Sequence, residues 1–487
     1  MLSLLLQKGL QKQLGRKLPC PLILLIIVFM TSFGKVNNIS TKSSKYEHLI
    51  LVFLQNKNML DFNEKEFLAF CSEYGWKSDF LAYSYSILMD INSLVKNSQL
   101  YTDRLIYFDQ TASGPSIIAI CSNSEFLATQ TNLISLELQK NFNQINFDLI
   151  DRNCVYTTYL NHLIKNYPEF ASYNFDRPWA KYIYMAYNYG SGGLSISNTT
   201  VDWTEENVFS TFLEEPVPAE LMSKYETFFN KRSKHIKAIQ DSLETFCPKA
   251  TSLKTWFNKV ALILISDEVY FDKLSKKKKA IILDFRIKLE KAGFKKESEK
   301  FFGFGKNNLS IVTATDSEIQ YFLTTLPTKL TKIKTYYKEF IQSFFDSFQM
   351  RKGTKLDRDK MINSFYVHFI HGMDASIIKM YLDCFYTKFG MCSTSVVHDS
   401  FSVTLDKVSA AQNLVKDAYY KLKFDDHVNL INKCIINPNF NNGGSMLKSA
   451  GEILLTEYEQ LFPRADNILL KYRKSVTRGF YWFPISD

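Results

Sequence analysis

The chain has 487 residues, 46% of them hydrophobic, with 40 Phe and 27 Tyr, which excludes a disordered chain and supplies a large core spread over two or three subdomains. A formal net charge of +10 fits a partner that carries phosphates or an anionic membrane surface, and equally a Lys bias from an AT-rich gene. The eight cysteines form no CxxC pair, which argues against a zinc site and against a secreted disulfide framework.

No Asp or Glu occurs before Glu47, and Leu22 to Met30 is strongly apolar. That stretch has the look of a targeting segment but is short for a membrane span. Residues 60–100 are expected to be helical. Leu105 to Asp109 (LIYFD) reads as a short buried strand, and helices are expected to dominate from Leu133 to Tyr189 and from Pro218 to Phe301. Further helices are expected over Lys329–Met350 and Ser376–Phe389. Two short β segments around a turn are expected over residues 393–403, then a helix from Leu405 to Leu422. Short strands carrying carboxylates among many helices indicate an α+β enzyme. The run Lys276 to Lys279 is a solvated helix face or a contact for nucleic-acid backbone.

Four blocks carry chemistry. In YFDQTASGPSII, from Tyr107 to Ile118, a strand ends on Asp109 before a turn of small residues. Such a carboxylate can hold a metal ion, or simply start the turn. In DRPWAKYIYMAYNYGSGG, from Asp176 to Gly193, Asp176 can cap a helix with Pro178 in its first turn. Arg177, Lys181, Met185 and Tyr189 recur every four residues along one flank. Two cations near a helix N-terminus can clamp a triphosphate, or belong to an ordinary amphipathic surface. In SVVHDSFSV, from Ser395 to Val403, a His398-Asp399 step sits at a hairpin tip. In FIHGMDASII, from Phe369 to Ile378, Asp374 and Ser376 read as caps of a helix start, which leaves His371 without a structural reason.

In this order the blocks resemble the bacteriophage and mitochondrial single-subunit RNA polymerases. The family's first motif, DGSxSGxQ, is similar to Asp109-Gln-Thr-Ala-Ser113-Gly114-Pro-Ser116. Its helix of Arg, Lys four on and Tyr-Gly eight further is matched by Arg177, Lys181, Tyr189 and Gly190, with Met185 at the usual Met. His398, Asp399 and Ser400 match its His-Asp-Ser motif. His371-Gly-Met-Asp374-Ala-Ser376 resembles its HSxDxSH block, and FLAFCSEY, from Phe67 to Tyr74, resembles its FLAFC segment. The resemblance implies a right-hand polymerase fold: a palm whose small antiparallel sheet carries the catalytic carboxylates, and largely helical fingers. The implied division is an atypical segment over 1–60, palm over 61–170, fingers over 171–355 and palm again over 356–487.

The resemblance also implies roles. Asp109 and Asp399, helped by the Gln110 carbonyl, would bind two Mg²⁺. Arg177 and Lys181 would hold the triphosphate, with Lys181 protonating the leaving group. Tyr189 and His371 would read the ribose 2′-hydroxyl, and Gly190 would let the template base approach. Met185, His398 and Ser400 would support them. DNA template, NTPs and RNA product are the implied partners, with transcription accessory factors beside them and no stable membrane insertion. Related DNA polymerases place a Glu where Gly114 stands, and His-Asp-Glu where this chain has His-Asp-Ser. Both differences favour ribonucleotides.

The sequence departs from the family in places. Only 108 residues precede Asp109, so thumb and promoter domain are expected to be absent and Leu22–Met30 to be altered palm sequence. Cys154 stands where the family often has Asp, and Leu194 where an aromatic is common. A truncated, inactive remnant with residual nucleic-acid binding is the alternative, and a membrane-anchored protein is a third reading, resting on Leu22–Met30 alone. The Phe-, Lys- and Asn-rich composition suggests an organellar genome or plasmid, and hence a mitochondrial location.

Overall fold

The structure is a computed structural model, and it describes residues 105–110, 112–134, 153–190, 193–208, 218–230, 232–321, 323, 356–404, 407–472 and 481–482. The expected helices at 60–100 and 329–350, the FLAFC segment and Leu22–Met30 lie outside the described residues. Among the described residues no helix is long and apolar enough to cross a membrane.

The described chain is mostly helical with two small antiparallel sheets. Strand β1 (Leu105–Gln110) leads into α1 (Ser113–Cys121). Helices α2 (Val155–Asn166) and α3 (Arg177–Asn188) follow. After further helices comes α4 (Pro248–Ile265), then the hairpin β2 (Leu309–Val312) and β3 (Glu318–Tyr321). A long α5 (Arg358–Phe389) precedes the hairpin β4 (Thr394–Val397) and β5 (Ser400–Thr404). Helices α6 (Val408–Lys421) and α7 (Ser445–Leu461) and strand β6 (Tyr481–Trp482) complete it. The larger sheet has the order β4-β5-β1-β6, so β1 is an interior strand.

The sheet follows the expectation for LIYFD and for residues 393–403. The 376–389 helix does not. It is the second half of α5, which begins at Asp357, whose carboxylate accepts from the Lys360 N–H at 3.0 Å, and ends at Gly390 with φ 68°. Its buried residues Met361, Phe365, Phe369, Met373, Ile377 and Tyr381 recur every four residues, a helical stripe that continues unbroken through the His371 block. Gly372 imitates a break in sequence. In the fold it brings α5 close to the β2–β3 hairpin, where a Cβ would meet Thr313 Cγ2 at 3.4 Å. The β2–β3 hairpin itself was not expected.

Helix α4 ties the layers together. Phe257 packs its ring against Phe365, Tyr366 and Phe369 of α5, at centroid distances of 5.9, 5.4 and 4.9 Å. Trp256 donates from Nε1 to the Leu454 carbonyl of α7 at 3.0 Å. Burying such rings contributes roughly 2–3 kcal/mol each, and the indole N–H keeps its partner.

Beyond the far end of α1, the fully buried His427 faces the Phe462 carbonyl through Nε2 at 3.0 Å and the Asn467 amide nitrogen through Nδ1 at 2.8 Å. Phe462 must accept and Asn467 must donate, so the ring is the neutral Nε2–H form. Burial holds its pKa below the usual value. Its contribution is therefore present above the unfolded pKa and lost as pH falls below about 6.5. His427→Gln should lower the urea midpoint at pH 7.5 and flatten the loss of stability between pH 7 and 5. An unchanged slope would remove His427 from that acid sensitivity.

Candidate active site

The site begins with backbone pairing. Asp109 is the Cα partner of Ser400 across β1–β5, and of Trp482 on the other side. Neighbouring strands lie roughly 4.8 Å apart, so the end of β1 runs beside the tip of the β4–β5 hairpin. Val397 pairs with Ser400, which leaves His398 and Asp399 as a two-residue turn. His398 takes the left-handed region at φ 52°, a conformation that costs a non-glycine residue roughly 1–2 kcal/mol. It is exposed, and Asp399 is half-buried. The side chains of Asp109 and Gln110 lie outside the described residues.

After β1 the chain turns sharply into α1 through Ala112, also left-handed at φ 50°. From Gly114 to Cys121 every residue of α1 is buried. Gly114 is needed for close approach: a Cβ there would stand 3.1 Å from the Tyr189 hydroxyl and 3.7 Å from Ile370 Cγ2. Tyr189, at the end of α3, packs against His371 of α5 with ring centroids 5.1 Å apart. Thus Gly114, Tyr189 and His371, far apart in sequence, share one place. Burial, then Asp374 and Asp399, pushes the Tyr189 phenol up to about 12, so it keeps its proton at neutral pH and can donate a hydrogen bond. Burial, then the nearby His398, lowers the His371 pKa and favours a neutral imidazole.

Asp374 is not the helix cap expected from sequence. It lies inside α5, where the Ser113 hydroxyl at the start of α1 is near enough to favour its ionised form. Ser376 is also internal, donating to the Gly372 carbonyl at 2.8 Å. Burial, followed by repulsion from Asp399, raises Asp374 to about 6. Sequence reasoning left Asp374 out of the site because a capping role was sufficient explanation. The cue available was its place in the HSxDxSH-like block.

Helix α3 starts as expected: Asp176 accepts from the Trp179 N–H at 2.9 Å. Trp179 is fully buried and stacks on Phe175 at 4.1 Å. That anchors the inner face and leaves Arg177, Lys181 and Met185 on another flank. Tyr156 of α2 lies along this flank. Its ring centroid is 5.4 Å from the Arg177 guanidinium carbon and 6.0 Å from Lys181 Nζ, and its hydroxyl reaches Met185 Sδ at 3.6 Å. Cation–π attraction of this kind is worth roughly 0.5–2 kcal/mol. Sequence reasoning missed Tyr156, since an aromatic on a helix is usually core. Arg177 Nε donates to Cys154 Sγ at 3.0 Å. Burial pushes that thiol up, but hydrogen bonds from Thr157 and Arg177 outweigh it and the pKa falls below the usual thiol value. The departure from Asp at this position therefore retains an acceptor for Arg177.

Gly190 ends α3 at φ 82°, where a Cβ would stand 2.7 Å from the Asn363 carbonyl of α5. The Leu194 side chain lies outside the described residues. The lysine run starts the helix Lys276–Lys291, with Lys278 paired to Asp359 at 2.6 Å and Lys279 over the Phe271 ring at 5.3 Å. Two of its four cations thus serve local structure. Among the described residues no three His, Cys, Asp or Glu side chains cluster as a metal site. Beside the end of β1, burial and then the nearby Asp399 carboxylate raise Asp374, so two acidic side chains act on one another here. Carboxylate oxygens of this kind are donors that fit a hard divalent cation.

Two predictions follow from this geometry. A folded pKa of about 6 for Asp374, above the usual carboxylate value, means its share of stability is present below about pH 4 and lost as pH rises through 6. In chelator-treated protein, Asp374→Asn should gain on wild type in urea midpoint from pH 4.5 to pH 7.5, and a constant difference would refute the assignment. Gly190→Ala should cost roughly 1–3 kcal/mol through its positive φ, with the clash on Asn363 added. A midpoint equal to wild type would show that α3 ends differently.

The model of the DNA-dependent RNA polymerase family matches residues 86–445. No curated protein matches the chain. The match spans β1, the whole of α3, the His371 block and the His-Asp-Ser hairpin, the segments that meet in this site, and the chain belongs to the single-subunit, phage- and mitochondrial-type DNA-dependent RNA polymerases.

Proposed function

We propose that this chain extends RNA on a DNA template by a two-metal mechanism. The observation that carries this reading is the meeting of the Asp109 end of β1, the Asp399 turn and the Tyr189 end of α3 around Gly114 and His371. In hand terms, 61–170 and 356–487 are the palm and 171–355 the fingers. The protein works on DNA template, RNA and NTPs, alongside accessory transcription factors, in mitochondria.

Asp109 and Asp399 are the residues that would hold two Mg²⁺, with the Gln110 carbonyl beside them. When bound, such ions supply acidity to the RNA 3′-hydroxyl and neutralise charge on the triphosphate and the leaving pyrophosphate. Arg177 and Lys181 bind the triphosphate along the flank of α3, and Tyr156 holds that flank in line. Lys181 delivers a proton to the leaving pyrophosphate oxygen. The protonated Tyr189 phenol and the neutral His371 imidazole hydrogen-bond the ribose 2′-hydroxyl. Gly114 leaves the space in which a larger side chain would displace the Tyr189 hydroxyl. Gly190 lets the template base come close to the helix end.

Template-dependent primer extension with Mg²⁺ tests the proposal. Wild type should use NTPs over dNTPs, and Asp399→Asn should lose roughly three or more orders of magnitude in rate, since two-metal chemistry depends on that carboxylate. Equal rates for the two proteins would remove Asp399 from the mechanism. A preference for dNTPs would overturn the assignment to RNA synthesis.

A further inference from the structure

We propose that Lys254, a half-buried lysine outside the motifs, is a positioning residue for nucleotide selection: it clamps the C-terminal end of α3 and so sets where Tyr189 stands. This rests on the functional reading above.

Lys254 Nζ donates to the Tyr187 carbonyl at 2.8 Å and lies 3.8 Å over the Tyr187 ring. The last carbonyls of a helix have no partner in the helix, and a cation there also meets the negative end of the helix dipole. The Tyr187 carbonyl is shared with the Gly190 N–H at 3.1 Å, and the Tyr189 N–H returns to the Met185 carbonyl at 2.9 Å. One lysine therefore holds the turn that carries both Tyr189 and Gly190. Its own base is rigid, because α4 is locked by Trp256 to α7 and by Phe257 to α5. Since α5 also carries His371, α4 positions the two rings of the Tyr189–His371 pair from one support. Burial lowers the Lys254 ammonium to about 8, and Glu244 works against that fall, so the clamp keeps its charge at neutral pH. Without the ammonium the Tyr187 carbonyl keeps, among the described residues, the Gly190 N–H as its donor, and the Tyr189 hydroxyl is free to shift from Gly114.

The test compares Lys254→Met, Lys254→Gln and Lys254→Arg in the full chain. Amide hydrogen exchange over residues 184–190 is read beside NTP and dNTP incorporation. Lys254→Met should raise exchange in that segment and leave α4 and the β1–β5 pair unchanged. It should also raise the NTP KM more than it lowers kcat, and cut the NTP-to-dNTP preference by about tenfold, within the roughly hundredfold that a misplacement of ~1 Å can cost. Lys254→Arg should restore both readouts, and Lys254→Gln should fall between. Unchanged exchange in Lys254→Met overturns the clamp, and altered exchange with unchanged preference overturns its role in selection. Exchange rising equally over the whole chain in both Lys254→Met and Lys254→Gln also overturns the proposal, in favour of a general structural role. A wild type that incorporates no nucleotide, with exchange still responding to Lys254, defeats the functional reading and leaves the clamp standing.

Discussion

The backbone pairing of β1 with β5 is the constraint on which the site depends. Residues Leu105 to Asp109 run antiparallel to Ser400 to Thr404, joining segments almost three hundred positions apart. The register matters because side-chain direction alternates along a strand. A slip of one residue would turn every side chain of β1 to the other face. The two-residue turn at His398 and Asp399 then fixes which part of the hairpin stands beside the end of β1. Two backbone kinks in the left-handed region, at Ala112 and His398, sit on either side of this junction. Strain of that kind persists where surrounding structure holds it, here an interior strand and a helix buried from Gly114 onward.

Around that junction the helices act as a frame of aromatic contacts. Helix α4 sets α5 through Phe257 and α7 through Trp256. Helix α5 in turn presents His371 to Tyr189 and Asp374 to Ser113. The same 32-residue helix therefore touches the first motif and the tyrosine end of the nucleotide helix. Tyr156 performs a similar service for the flank of α3, contacting Arg177, Lys181 and Met185 together. These supports place reactive polar groups at partial burial, where desolvation, then neighbouring carboxylates, shift Tyr189 and Asp374 upward.

Several features were legible in the sequence for local reasons. A short apolar run ending on Asp109, a polar pair between β segments, and Asp176 before Pro178 all act within a few residues. The structure has a strand, a tight hairpin and a capped helix at those places. The four-residue spacing of Arg177, Lys181 and Met185 put them on one flank, and one ring of α2 indeed spans all three. The α5 helix was truncated in the sequence reading because Gly372 with Asp374 and Ser376 imitates a break and a cap. The β2–β3 hairpin was missed because only four residues on each side pair, too few for a period to stand out.

What the sequence determined by itself is therefore the family, the order of its motifs and the local element beneath most of them. Those depend on residue type and short spacing. Tertiary structure alone decided that Gly114 is small because Tyr189 is there, that Asp374 reaches Ser113 rather than capping a helix, and that Tyr156, Cys154 and Lys254 support α3. Each of these is a contact between elements distant in the chain. Its physical content is a distance or a shared burial, and no residue pattern within one segment encodes that.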